Sequence, residues 1–109
     1  MKIDRERALG ELGIPSQMYD ELLQIFKVQT ESTLQELEGV VASSNHTEIA
    51  KLAHSIKGSA GNLRLDELQE LARKIEFAAK GNADMAGISS DFTNLKALFA
   101  DFKVLVPLS

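Results

Sequence analysis

Residues 45–63 read Asn45-His46-Thr47-Glu48-Ile49-Ala50-Lys51-Leu52-Ala53-His54-Ser55-Ile56-Lys57-Gly58-Ser59-Ala60-Gly61-Asn62-Leu63. Ile49, Leu52, Ala53, Ile56 and Ala60 recur at spacings of three and four. At 100° per residue they gather within about 60° either side of one direction, which predicts an amphipathic helix. Asn45 with Glu48 three residues on is a capping box for its start, after a Ser43-Ser44-Asn45 turn. Gly61, Asn62, Leu63 and Arg64 close it.

The same period continues on both sides. Downstream, Asp66 with Gln69 caps a helix whose inner face is Leu68, Leu71, Ala72, Ile75 and Ala79, and Gly81-Asn82 stops it. Past a polar stretch containing Gly87, Ser89 or Ser90 starts a last helix carrying Phe92, Leu95, Leu98, Phe99, Phe102 and Leu105. Upstream, Ser16 caps a long helix to about Ala42, with Met18, Leu22, Ile25, Phe26, Gln29, Thr33, Leu37, Val40 and Val41 as its inward stripe. A short segment from Asp4 to Leu12 carries Ala8, Leu9 and Leu12 on one side, and Gly13 and Pro15 end it. The only prolines are Pro15 and Pro107, so nothing between them breaks a helix, and no strand alternation occurs. These elements predict an all-α fold: an up-down-up-down antiparallel four-helix bundle with a short N-terminal helix across one end.

Composition bounds the function. The 109 residues make one domain, 1–109, because either half is too small to hold a core. Twelve basic and sixteen acidic residues give a net charge of −4, which argues against a nucleic-acid partner. Without cysteine there is no disulfide, thiolate zinc site or cysteine nucleophile. With no Trp and one Tyr, base stacking is disfavoured. No apolar run reaches the ~18–20 residues of a membrane span, and no signal peptide follows the charged N-terminus. A soluble, cytoplasmic monomer is the expectation, although a domain cut from a larger protein would look the same.

The chemistry concentrates at His54. It lies about 140° from the centre of its helix's apolar arc, so the ring points outward. Its helical neighbours are Ala50, Lys57, Gly58 and Gly61. A glycine inside a helix costs about 1 kcal/mol against alanine, so two of them beside one imidazole suggest a cleared ledge that another surface can approach. Lys57 disfavours a protonated ring but suits a ring that carries an anion, and neutral imidazole is a nucleophile.

Ala53-His54-Ser55-Ile56-Lys57-Gly58-Ser59-Ala60-Gly61-Asn62-Leu63 resembles the signature of histidine phosphotransfer (HPt) domains of multistep two-component signalling. The Glu6-to-Gly13 segment, the Tyr19-to-Val41 helix, the Asn45 turn and Leu68-to-Glu76 fall where that family has its elements. The resemblance implies a phosphoryl carrier without kinase activity of its own. It would accept phosphate on His54 from a receiver-domain aspartyl phosphate and pass it to another receiver aspartate. It implies no resident cofactor, since the receiver brings Mg²⁺. By position, Lys57 offsets phosphoryl charge, Gly58 and Gly61 give steric access, and Glu76 accepts a hydrogen bond from the ring's other nitrogen. Thr47, Ala50 and Lys51 extend the face by the helical wheel as a docking patch. One position departs: ten residues after the histidine the family usually has glycine, and here Arg64 stands. Arg64 either strains the helix end or reaches back toward the phosphate as a second cation.

Plainer readings stand beside these. Gly61 also suits close helix packing, Glu76 a surface pair with Arg73 or Lys80, and His46 a local surface role. The two histidines are roughly 12 Å apart along the helix, too far to share a metal ion. An adaptor that docks a receiver without phosphorylation is the alternative function. An enzyme with His54 as general base needs a pocket that a convex helix face does not offer.

Overall fold

The computed structural model describes residues 1–107. They form five helices: α1 (Arg5–Leu12), α2 (Ser16–Ala42), α3 (His46–Asn62), α4 (Asp66–Lys80) and α5 (Met85–Leu105). Helices α2 to α5 pack in a ring, each against its chain neighbours, with α5 closing on α2 and the α3–α4 contact the most extensive. This is the expected antiparallel bundle.

Three connections share one device. The second residue past each helix takes a left-handed φ: 55° at Ser44, 61° at Arg64 and 56° at Asn82. The amide after it bonds back five residues, Asn45 to Val40, Leu65 to Ala60 and Ala83 to Ala78, at 2.9 Å each. The left-handed residue's own amide bonds back three, to Val41, Gly61 and Ala79. These are Schellman caps, which satisfy the last carbonyls and turn the chain sharply. Arg64 thus occupies a position where glycine is the usual choice, and its side chain closes over the helix end. Its Nη1 donates to the carbonyls of Gly61 and Asn62 at 3.1 and 3.2 Å.

Helix α1 lies across the end where α2 and α4 begin and α3 finishes. Ala8 is fully buried there. Around it Arg5 pairs with Asp20 at 2.5 Å, Arg7 with Asp66 at 2.5 Å and Arg64 with Glu11 at 2.6 Å. Tyr19, fully buried beneath, donates its hydroxyl to the Leu63 carbonyl at 2.6 Å. The core runs from there through Leu37, Ile49, Ile56, Leu68, Ile75 and Leu95, with Phe26 edge-on to Phe102 at 5.3 Å.

Several local expectations shift. The α2 core line is Tyr19, Leu23, Phe26, Thr30, Leu34 and Leu37; Phe26 and Leu37 of the predicted stripe lie on it, Leu22, Val40 and Val41 pack partly buried beside it, and Met18 and Ile25 stay half-exposed. Two apolar lines lie side by side on this helix. On the buried line the Tyr19 hydroxyl finds an acceptor in the Leu63 carbonyl, so its burial leaves no polar group unpaired. Lys27 shares that buried side by donating to the Val106 carbonyl at 2.8 Å. Asp66 does not cap α4; it is the first helical residue after Leu65, with its carboxylate held by Arg7. Ser16 is likewise the first residue of α2, its hydroxyl bound by Arg5. Helix α5 begins at Met85 and not at Ser89 or Ser90. Asp84 caps the Ala86 amide at 3.2 Å, and burial of Ile88 carries Gly87 into the first turns. Leu105 is half-exposed, and Val106 takes its place inside. No helix among the described residues is long and apolar enough to cross a membrane.

Candidate functional site

The α3 start is built as expected: the Asn45 side chain accepts from the Glu48 amide at 3.2 Å. This fixes the register that buries Ile49, Ala53, Ile56 and Ala60. His54 is left on the outer side with its side chain 64% exposed. Opposite, α4 buries Leu68, Ala72, Ile75 and Ala79, and with them Glu76. The alanines at this contact let the two helices approach closely enough for a glutamate on one to reach a ring on the other.

Glu76 is the centre of the site. Its side chain is 1% exposed yet lies just under the surface, covered by its own partners. Oε2 lies 2.8 Å from His54 Nδ1 and 2.9 Å from Lys80 Nζ, while Oε1 lies 2.6 Å from Lys57 Nζ. Burial alone pushes the Glu76 carboxyl up. Lys57, Lys80 and the His54 ring outweigh it and bring it down to about 2. The carboxylate is therefore ionised at neutral pH and accepts only. The hydrogen of the His54–Glu76 contact must then sit on Nδ1, so the lone pair the ring can offer is the one on Nε2. A pinned imidazole whose other nitrogen faces the surface has the geometry a nucleophile would need.

Around the ring, α3 and α4 border an open groove of about 550 Å³. Thr47, Ala50, Lys51 and His54 line one wall, Glu76, Ala79 and Lys80 the other, and His46 and Asn82 one end. Thr47 and Lys51 are exposed, as a docking patch requires, while Ala50 is nearly buried and forms floor. Gly58 is exposed, and a Cβ built there meets nothing within 4 Å. Packing does not call for a glycine at that position.

Two sequence-predicted residues sit elsewhere. A Cβ on Gly61 would lie 2.5 Å from Gln69 Nε2, so the room beside it is filled by α4 and is not open ledge. Arg64, ten residues past His54 and roughly 15 Å along the helix axis, is engaged with Glu11 and the α3 carbonyls. It does not reach back as a second cation. Two other residues gain parts the sequence reading did not give them. His46 Nε2 bonds the Ala83 carbonyl at 2.8 Å and ties α3 to the α4–α5 turn. Lys80, read as an ordinary surface partner, stands on the same carboxylate oxygen as the His54 ring. Its spacing of four from Glu76 was the available signal.

No significant match was found among curated proteins or among solved structures. The Hpt domain family, however, matches residues 21–103, a span that holds the whole four-helix ring except the first residues of α2 and the last of α5. With an outward histidine pinned by a buried glutamate on a helical bundle, this match settles the family: the chain is an Hpt domain, of the kind that serves two-component phosphorelays.

Proposed function

We propose that His54 is the phosphoacceptor, taking a phosphoryl group from the aspartyl phosphate of a receiver domain and delivering it to a second receiver aspartate. The observation that carries this reading is the 2.8 Å contact between Nδ1 and buried Glu76 on a ring that is otherwise largely exposed. The Nε2 lone pair attacks phosphorus, the P–O bond to the aspartate breaks, and that electron pair leaves with the partner's carboxylate. The ring keeps its Nδ1 proton and becomes a cation facing the Glu76 anion, so the charge that develops in transfer meets a preorganised opposite charge. Lys57 adds positive potential beside it. Reversal toward a second receiver uses the same groups.

Nothing in this scheme asks the chain to bind a nucleotide, so it carries phosphate and does not generate it. The Mg²⁺ belongs to the receiver, where it screens the acyl phosphate. Exposed Thr47, Lys51 and Gly58 offer the partner an approach around the ring, through a transient contact of at most about 1,200 Å². Receivers preloaded with acetyl phosphate are expected to label the chain with an acid-labile phosphate, and His54→Gln to abolish the label. Label that persists in His54→Gln rejects the assignment. Receiver binding without any label favours an adaptor role.

A further inference from the structure

Glu76 carries one negative charge and touches two lysines. One ammonium suffices to neutralise it, so with the ring neutral the cluster holds a surplus positive charge, in a chain whose net charge is −4. The two lysines differ. Lys57 sits on Oε1, is 26% exposed and does not line the groove. Lys80 sits on Oε2, the oxygen that the His54 ring also uses, is 59% exposed and lines the groove with His54. No more than two hydrogen-bond lengths separate its Nζ from the ring.

From this division we infer that Lys57 serves chiefly to hold Glu76, and that Lys80 is the mobile cation that binds the phosphoryl group once it is on His54. This rests on the phosphoacceptor reading above. Phosphohistidine that keeps its Nδ1 proton has a ring charge of +1 and a phosphoryl charge of −2. With Glu76 and both lysines the loaded cluster then sums to zero; without Lys80 it is left negative. Lys80 can swing from Oε2 to a phosphoryl oxygen without stranding the carboxylate, because Lys57 and the ring remain on it. Lys57 cannot do so as cheaply, being half as exposed and paired at the shorter distance. The other residues lining the groove are Thr47, Ala50, Ala79 and Asn82, His46, whose Nε2 is bonded to the Ala83 carbonyl, and Lys51, which lies 3.7 Å from Glu48 on its own helix.

The test compares wild type, Lys80→Ala, Lys80→Arg and Lys57→Ala. The transfer equilibrium against a phosphorylated receiver is read as the fraction of label on His54. Lys80→Ala should lower the ratio of loaded to unloaded protein about three- to ten-fold, the worth of one charge-assisted contact at a partly exposed site. Lys80→Arg should restore it, and the loss should shrink at high salt. A second arm needs no receiver. Wild-type protein is phosphorylated chemically with phosphoramidate, and the ¹⁵N resonances of the lysine ammonium groups are followed. The Lys80 resonance should shift more than that of Lys57. An unchanged equilibrium in Lys80→Ala, or a phosphate-dependent shift at Lys57 alone, overturns the inference and leaves the carrier role intact. Wild type that no receiver labels removes the carrier role itself.

Discussion

Two clusters of charge are built on opposite terms, one between α1 and the α3–α4 turn, the other between α3 and α4 themselves. At the α1 end, Arg7, Asp66, Arg64 and Glu11 form short ion pairs between side chains that are each 29–57% exposed. At the middle of the α3–α4 contact, a carboxylate 1% exposed gathers His54, Lys57 and Lys80. Water competes for every member of the first cluster, so each pair adds little and the set is redundant. Glu76 has no such alternative. Removing it strands its partners, and removing a partner exposes the cost of its burial. Short distances alone do not distinguish structural from chemical charge; burial of one member does.

The largest test of that contrast is Glu76→Ala. The ring loses the acceptor that fixes its tautomer and orientation, and receiver-to-His54 transfer should slow about ten- to a hundred-fold, by analogy with the partners that orient metal-ligating histidines. Glu76→Gln keeps an acceptor oxygen but not the charge, so its rate should fall between the two. Rapid-quench measurement of label on His54 checks both. Equal rates in all three would place Glu76 among the merely structural residues.

Acid titration separates the clusters next. The folded value of Glu76, about 2, lies below its ordinary 4.5. Its contribution to stability is therefore complete above about pH 4.5 and disappears as pH falls through about 2. Urea midpoints measured between pH 6 and pH 2 should fall more steeply for wild type than for Glu76→Gln, and the two curves should converge at the acid end. Parallel curves would mean that the carboxylate is not held charged.

How far the sequence anticipated this depends on whether local rules or neighbours set each feature. The α3 register was readable because Asn45, Glu48 and five apolar residues all point to one helix face, and His54 falls outside that face by periodicity alone. The core line of α2 is legible only in part, at Phe26 and Leu37. At its start Met18 and Leu22 look as apolar as Tyr19 and Leu23, and the Leu63 carbonyl that accepts from the Tyr19 hydroxyl is visible only in the fold. The start of α5 was missed because Gly87 reads as a break, whereas the Asp84 cap and the burial of Ile88 override it. Arg64 was flagged by its departure from glycine, but only the fold shows Glu11 waiting for it. For Glu76 the sequence offers Arg73 or Lys80 as a surface partner; the fold gives Arg73 to Glu70 and Lys80 to Glu76, and the burial that makes the pair matter is a tertiary fact.

The glycines give a smaller effect with a sharp sign. Gly58→Ala should stabilise the bundle by about 1 kcal/mol, because its Cβ enters open space and helix propensity improves. Gly61→Ala should gain less, since its Cβ must displace the Gln69 amide. Urea denaturation of both variants reads the difference directly. Gly58→Leu should leave folding intact and slow transfer from receivers. Undiminished transfer would show that no partner approaches past that position.

The smallest effect belongs to the outer cluster. Asp66→Asn removes the carboxylate that holds Arg7 and that sits in the first turn of α4, where a negative charge favours the helix dipole. Arg7 keeps Glu11 at 3.4 Å, and Arg64 keeps Glu11 as well, so no cation is stranded. Both lost terms act through solvent and are screened together. The urea midpoint should therefore drop by less than for any variant at Glu76, and the drop should vanish near 1 M salt, where the Debye length is about 3 Å. The Asp66 carboxyl, held below its usual range by Arg7, contributes only above that range, so the small loss should also fade at low pH. A loss that survives high salt would mean that Arg7 and Asp66 anchor α1 by packing and not by charge, and the two clusters would then be more alike than their exposure implies.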